Sequence, residues 1–197
     1  MSRSNKLPTV LEKEEQQRLI NIFNTRYPTA QRNKTIAILF LNAGLRLSEL
    51  LNLKWKDINL ISGKLKVVEG KGAKDRILYL DDNTIEKLKD WKDRQAKEID
   101  KRIDEANISR VFTTLKNNKM DTSNTRKMIK KYAKKADINK KISPHTLRHT
   151  FATDLYRDSK NIRLVQKALG HSNLSTTMIY THIVDDELEQ ALKTFRK

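Results

Sequence analysis

The sequence predicts a mainly α-helical domain of the α+β class with a small antiparallel β-sheet. Apolar residues recur at helical spacing through most of the chain, which indicates amphipathic helices. Residues 58–80 instead alternate apolar and polar residues on both sides of a glycine-rich stretch, which is typical of a β-hairpin. The 197 residues contain no internal repeat and no linker in mid-chain, so we expect them to bury one sizeable core.

The first half of the chain predicts three helices. Residues 11–25 carry apolar side chains at helical spacing, with acidic residues in the first turn. Pro28 can open a second helix, whose central run is apolar on nearly all sides and so belongs to the core. Gly44 is expected to end that helix, and residues 47–53 predict a short third one. Arg46 is therefore expected in the turn between two packed helices.

The predicted hairpin has two short strands and a glycine-rich tip. Lysines separate the apolar residues of the first strand, and the second strand also alternates. The apolar members are Leu65 and Val67 in the first strand, and Ile77 and Tyr79 in the second. Residues 70–75 are expected to form the tip of the hairpin, which carries Lys71.

Two later segments, residues 83–106 and 121–136, combine helical spacing with many lysines, and each is expected to form a helix with a cationic face. Over the whole chain, 41 Lys and Arg stand against 24 Asp and Glu, which gives a formal net charge of +17 at pH 7. Such an excess indicates a protein that binds a polyanion. The alternative is a lysine-rich composition without functional meaning.

Several classes of chemistry are excluded by composition. Cysteine is absent, so there is no disulfide, no thiolate metal site and no cysteine nucleophile. No apolar run approaches the roughly 18 residues that a membrane span requires. Residues 1–6 lack the apolar core of a secretory signal. We therefore expect a cytoplasmic protein with no membrane partner.

The segment from Ser143 to His149 combines signals for a helix start with side chains that carry chemistry. Ser143 suits the N-cap, and Pro144 suits the first helical position. His145 and Arg148 share a face beside a helix N-terminus, which favours an anion. A solvated surface helix could carry the same residues. His145 and His149 could also pair on a metal, but no acidic residue accompanies them as in a zinc protease, so no metal is expected.

A further helix over residues 162–169 is expected to end at Gly170, which suits a left-handed C-terminal position. His171 follows immediately, and residues 175–180 predict a short helix that ends near Tyr180. A tyrosine in such a place is usually a half-buried packing residue. Here it accompanies two histidines and an arginine that could converge with it on one phosphate.

Six residues of suitable chemistry follow one another in order: Arg46, Lys71, His145, Arg148, His171 and Tyr180. This order resembles the pattern of the tyrosine recombinase, or phage integrase, family: Arg, Lys in a hairpin, His-x-x-Arg, His or Trp, and Tyr. The sequence segments around these residues also resemble the family, including Ala-Gly-Leu-Arg-Leu-Ser-Glu-Leu around Arg46 and Thr-Leu-Arg-His-Thr-Phe-Ala-Thr around Arg148. The resemblance covers residues 11–183 and implies the tyrosine recombinase catalytic-domain fold.

The resemblance also implies an activity, namely site-specific recombination by cleaving and rejoining DNA strands. Tyr180 would be the nucleophile, attacking in line to form a 3′-phosphotyrosyl link and to release a 5′-hydroxyl. Arg46 and Arg148 would meet the charge on the non-bridging oxygens. Lys71 would protonate the leaving oxygen, with Lys74 as the competing candidate.

The remaining site residues have supporting roles by the same resemblance. His145 would exchange protons with the Tyr180 hydroxyl, and His171 would donate to a phosphate oxygen. Glu49 would support the site without acting as a catalyst, and no cofactor is implied. The implied partner is double-stranded DNA, bound by a homotetramer that assembles from monomers. The candidate DNA contacts are Lys74, Asn124, Arg126 and Lys130.

The expected organisation is a tail or linker remnant over residues 1–10, the catalytic domain over 11–183 and a C-terminal helix over 184–197. The apolar stripe of that helix suits either its own core or a neighbouring protomer. The short start suits either an isolated catalytic domain or a naturally short recombinase.

Three other functions are alternatives. A topoisomerase-like enzyme of type IB has a similar site but works as a monomer on one strand. A DNA-binding regulator without turnover would not need the nucleophile. A basic metalloenzyme that uses the histidines would be inhibited by chelators.

Overall fold

The computed structural model describes residues 7–68, 75–99, 108–181 and 183–184. These residues form helices and one two-stranded antiparallel sheet, which confirms the predicted class. In chain order the elements are α1 (Lys13–Asn21), α2 (Pro28–Ala43), α3 (Leu47–Asn52), β1 (Lys64–Val67), β2 (Arg76–Tyr79), α4 (Asp82–Glu98), α5 (Thr122–Lys135), α6 (Pro144–Ser159) and α7 (Ile162–Leu169). Within the described ranges, no helix has the length and apolar character that crossing a membrane requires.

Helix α2 is the centre of the main core, as its apolar composition predicts. Its residues Ile36, Leu39 and Phe40 have no exposed surface, and the helix packs against α1, α3, α4 and α6. Pro28 occupies its first turn, where a missing N–H costs nothing. Gly44 ends it in the left-handed conformation, with φ of 56°, which places Arg46 at the start of α3.

The hairpin forms, and its register decides which residues face the core. Leu65 pairs with Leu78 and Val67 with Arg76, so these four side chains share one buried face. Ile77 and Tyr79 lie on the opposite face and are 49% and 72% exposed. The predicted tip, with Lys71 and Lys74, lies outside the described residues.

The two charged helices form, but the first is shorter than expected. Helix α4 ends at Glu98 and not at residue 106, because the backbone of Ile99 turns to an extended conformation and its side chain is buried. Residues 100–107 lie outside the described part of the chain. Helix α5 matches its prediction, with Asp121 as its N-cap.

Helices α6 and α7 build a second apolar cluster beside the main core. The Ser143 hydroxyl accepts a hydrogen bond from the Thr146 N–H and so caps α6, as predicted. Gly170 ends α7 with φ of 68°. The buried members of the second cluster are Ala152, Val165, Leu169, Tyr180 and Ile183. The tyrosine singled out in the sequence is thus a packing residue of this cluster.

Candidate active site

Arg46 is fixed by its position at the start of α3. Its backbone N–H donates to Oε2 of Glu49 and its Nη1 to Oε1, both at 2.7 Å. This contact between the N-cap and the third residue of the helix holds the arginine side chain across the first turn. The Arg46 side chain is 37% exposed, so its guanidinium can reach a ligand in solvent.

Glu49 is a buried carboxylate shared by arginines. Arg76 donates to it from both ends of its guanidinium, over 3.0 and 2.8 Å. Burial alone would raise the pKa of Glu49, but the hydrogen bonds and charge of Arg76, with the Arg46 N–H and the Arg148 charge, lower that pKa to about 2. Glu49 is therefore ionised at neutral pH and holds the arginines together.

Arg148 forms hydrogen bonds with the C-terminal ends of two helices. Its Nη1 donates to the carbonyl of Gly44 at the end of α2, over 2.6 Å, and its Nη2 donates to the carbonyl of Leu169 at the end of α7, over 2.7 Å. The negative ends of both helix dipoles thus favour its charge. Burial lowers the pKa of Arg148 to about 10, although Glu49 opposes the shift, so the guanidinium stays charged at neutral pH.

His171 stands next to Arg148 because the left-handed Gly170 turns the chain back. Its Nε2 lies 3.4 Å from Nη2 of Arg148, and its Nδ1 lies 3.0 Å from the Thr177 hydroxyl. An arginine can only donate, so Nε2 accepts in this arrangement and Nδ1 carries the proton. Burial and the positive charge of Arg148 lower the pKa of His171 to about 4, so the ring is neutral at neutral pH.

Tyr180 is 2% exposed, and its hydroxyl lies 2.9 Å from Nδ1 of His149. The short helix predicted to end near it is instead a 3₁₀ turn, Leu174–Thr176, and Tyr180 lies in a separate helical segment that begins at residue 179. Burial raises the pKa of Tyr180 to about 12, despite the nearby charge of Arg148. The phenol is therefore protonated and shielded from solvent in this structure.

The histidine that contacts the tyrosine differs from the expected one. Sequence reasoning paired the Tyr180 hydroxyl with His145, but His145 is exposed in the first turn of α6. His149 lies one turn further along, where α6 packs on the second apolar cluster, and it makes the contact. Burial, then the charges of His145 and Arg148, lower the pKa of His149. The neutral imidazole can thus share a proton with the phenol.

The structure brings together Arg46, Glu49, Arg148 and His171 by direct contacts. Lys71 and Lys74 fall outside the described residues. The three α5 candidates, Asn124, Arg126 and Lys130, are all exposed, and α5 packs against α3, the helix that Arg46 begins.

Sequence reasoning missed the contacts of Arg76, His149 and Thr177. No local signal marked Arg76, because only the pairing of β2 with β1 sets it opposite Val67 on the buried face. Thr177 carried no distinctive signal either, because a threonine near a helix end usually caps or packs.

The arrangement suits a tetrahedral oxyanion. The guanidiniums of Arg46, Arg76 and Arg148 surround one carboxylate, which leaves a net positive charge at the site. The neutral imidazole of His171 stands next to Arg148, and the Tyr180 phenol can exchange a proton with His149. Among the described residues, no group of three or more His, Asp and Glu side chains could hold a metal ion.

Comparison with known proteins defines the class of this domain. A sequence model of the phage integrase family matches residues 9–187. The chain belongs to this family. Among curated relatives, the tyrosine recombinase XerD of Staphylococcus haemolyticus is 37% identical over 191 residues, which cover 96% of this chain and 63% of that protein. The chain thus spans less than two thirds of the length of that relative.

Two solved structures share both fold and sequence with this domain. The XerA recombinase superimposes with a TM-score of 0.80 at 34% identity, over 97% of this chain and 66% of that one. The XerH site-specific recombinase, in a post-cleavage complex with a palindromic difH substrate, also superimposes with a TM-score of 0.80, at 31% identity, over 100% of this chain and 56% of that one. The fold is that of a tyrosine recombinase catalytic domain.

Proposed function

We propose that this chain is the catalytic part of a site-specific DNA recombinase that cleaves and rejoins strands through a 3′-phosphotyrosyl intermediate on Tyr180. One observation carries the proposal: the buried Glu49 holds the guanidinium of Arg46 at 2.7 Å and lies 3.8 Å from that of Arg148. Two arginines so fixed match the charge that develops on the non-bridging oxygens of an attacked phosphodiester. Membership of the phage integrase family supports the same activity.

The reaction exchanges one phosphodiester for another. The Tyr180 oxygen bonds to phosphorus as the bond to the 5′-oxygen breaks, and that oxygen takes a proton, for which Lys71 is the proposed donor. In the reverse step a 5′-hydroxyl of a second strand attacks the phosphotyrosine and gives its proton to Lys71, while the departing Tyr180 oxygen takes up a proton and becomes the phenol again. In these steps His171 is proposed to donate to a phosphate oxygen after its ring proton has moved from Nδ1 to Nε2, and His145 to exchange protons with the phenol once DNA is bound.

Tyr180 must leave its resting place before it can attack. A phenol that is 2% exposed cannot reach a phosphate in solvent, and its raised pKa of about 12 opposes deprotonation. DNA binding is therefore proposed to move Tyr180 away from His149 and towards the arginines. Their positive potential would then stabilise the phenolate.

Duplex DNA is the proposed partner. The net charge of +17 and the exposed basic face of α5, with Asn124, Arg126 and Lys130, support this choice. A groove beside Glu49 is also lined by lysines and an arginine: Lys54, Lys56, Lys66 and Arg110. The XerH relative was captured with its difH substrate. A homotetramer on DNA, assembled from monomers, and a DNA-associated cytoplasmic location both rest on this proposed partner.

The proposed domain organisation is a tail over residues 1–10, the catalytic domain over 11–183 and a C-terminal helix over 184–197. The match of the family model to residues 9–187 supports the central range. The C-terminal helix falls almost wholly outside the described residues.

A suicide substrate tests the proposal. A bound site is first selected from a pool of random-sequence duplexes, and one strand is then nicked close to the cleavage position. Cleavage frees a short fragment that diffuses away, so rejoining fails and the protein stays attached to DNA through denaturation in SDS. We expect an adduct with the natural chain and none with Tyr180→Phe. An adduct of equal yield with the Phe variant would overturn the role of Tyr180.

A further inference from the structure

Arg76 is a buried charged residue to which the expected chemistry assigns no role. It is the first residue of β2, and its side chain is 6% exposed. Its Nη1 and Nη2 donate to the two oxygens of Glu49, and its Nε donates to the carbonyl of Ala168 over 2.8 Å. Burying an arginine costs free energy unless its charge is paired. The contacts to Glu49 and Ala168 supply that pairing, so they hold the Arg76 side chain in one position.

The first set of contacts fixes the carboxylate that orients Arg46. Oε1 of Glu49 accepts from Nη1 of both Arg46 and Arg76, and Oε2 accepts from the Arg46 N–H and from Nη2 of Arg76. Nη1 of Arg148 lies 3.8 Å from Oε2. The carboxylate cannot rotate without breaking the paired bonds to Arg76, so the position of Arg46 depends on Arg76.

The second contact fixes the end of α7. Ala168 precedes Leu169, whose carbonyl accepts from Nη2 of Arg148. The same end of α7 leads through Gly170 to His171. One guanidinium therefore ties α3, which carries Glu49, to α7, which places Arg148 and His171.

We propose that Arg76 is a positioning residue for strand cleavage, which aligns the guanidiniums of Arg46 and Arg148 on the scissile phosphate by holding Glu49 and the end of α7. This inference rests on the proposed function. An arginine suits the task because its planar fork reaches three acceptors at once. A lysine at this position keeps the charge but cannot bind both Glu49 oxygens and Ala168 together.

Arg76→Lys separates positioning from binding. We expect the rate of adduct formation at saturating DNA to fall about 100-fold, as for displaced catalytic groups. The Kd for DNA should stay within about 2-fold, because the Arg76 side chain is 6% exposed and offers little surface to a phosphate backbone. Arg157→Lys is the matched control, since Arg157 pairs with Asp154 and Glu12 at the far end of α6, and its rate should not change. An unchanged rate for Arg76→Lys would overturn the inference.

A modified substrate distinguishes the arginines from the hairpin. Arg76 also forms the ladder pair with Val67 that lies nearest to the Lys71 segment, so its loss could act through Lys71 instead. In a substrate whose leaving 5′-oxygen is replaced by sulfur, the departing thiolate needs no proton donor. The defect of Arg76→Lys should persist on this substrate. Recovery of the natural rate would overturn the role that we assign to Glu49 and the arginines.

Glu49→Gln probes the same contact from the other side and serves if Arg76→Lys unfolds in a thermal melt. We expect it to slow adduct formation by a similar factor, and the double variant to be no slower than the slower single variant beyond about 2-fold. Losses that multiply would overturn the shared mechanism. A Tyr180-dependent adduct from the natural chain on the same gel establishes the proposed function, so an unaffected Arg76 variant counts against the positioning role alone.

Discussion

The Tyr180 hydroxyl and Nδ1 of His149 lie 2.9 Å apart inside the apolar cluster between α6 and α7. The residue with the chemistry of a nucleophile therefore occupies a packing position, and among the described residues its hydroxyl has a hydrogen-bond contact with the neutral imidazole of His149 on α6. The proposed attack of Tyr180 on a phosphate requires that this pair separate.

The pair should be measurable as a coupling in stability. Either Tyr180→Phe or His149→Leu leaves a buried polar atom without its partner, which costs about 1–3 kcal/mol of unfolding free energy. The double variant removes both groups and should lose less than the sum, with a coupling of about 1 kcal/mol. Urea unfolding of the four proteins gives this value, and strictly additive losses would show that the hydrogen bond contributes nothing.

Stability should fall as the pH drops from 6.5 towards 4. The pKa of His171 is about 4 in the folded chain against an ordinary value of 6.5, and the pKa of His149 is also lowered. In this window the unfolded chain binds more protons than the folded one, so acid favours unfolding. The contribution of the neutral rings is complete above pH 6.5 and is lost progressively below it. Urea unfolding between pH 4.5 and 8 measures the slope.

The same titration in His171→Gln provides the control. The pKa of Glu49 is lowered to about 2, so this carboxylate affects stability mainly below its ordinary value of 4.5, at the acid edge of the histidine window. The variant should therefore show a flatter dependence between pH 4.5 and 6.5. An identical slope in the variant would assign the effect to other groups.

Gly44→Ala should impair both stability and the site. Gly44 has φ of 56°, and an added Cβ would overlap the ring of Phe151. The strained backbone and the overlap together should cost about 2–4 kcal/mol. Because the Gly44 carbonyl accepts from Arg148, the shift should also slow adduct formation.

A second change separates the two causes of that loss. Combining Gly44→Ala with Phe151→Leu removes ring atoms and should recover part of the unfolding free energy but not the backbone strain. If Gly44→Ala alone left the melting temperature unchanged, the packing of α2 against α6 described above would be wrong.

Much of the frame around the site follows from local sequence signals. Pro28 and Gly44 bound α2, and Ser143 and Gly170 mark the start of α6 and the end of α7, as predicted. These signals depend on backbone conformation and capping within a few residues, so they can be recognised without knowledge of the fold. They also place Arg46 and His171 directly beside helix ends.

Contacts between distant segments could not be predicted in the same way. The alternation over residues 76–79 allows either face to turn inward, and only pairing with Leu65 and Val67 buries Arg76. Likewise, His145 and His149 lie one turn apart, and the packing of α6 on α7 decides which of them meets Tyr180. The early end of α4 at Glu98 has the same origin, because burial of Ile99 overrides helical spacing.

In the proposed reaction, the Tyr180 oxygen becomes bonded to the 3′-phosphate of a cleaved DNA strand. The most direct measurement is mass spectrometry of the trapped protein–DNA adduct after digestion with nuclease and protease. We expect one nucleotide-bearing peptide, with the nucleotide attached through its 3′-phosphate to Tyr180. A nucleotide found on any other residue, or attached through a 5′-phosphate, would contradict it.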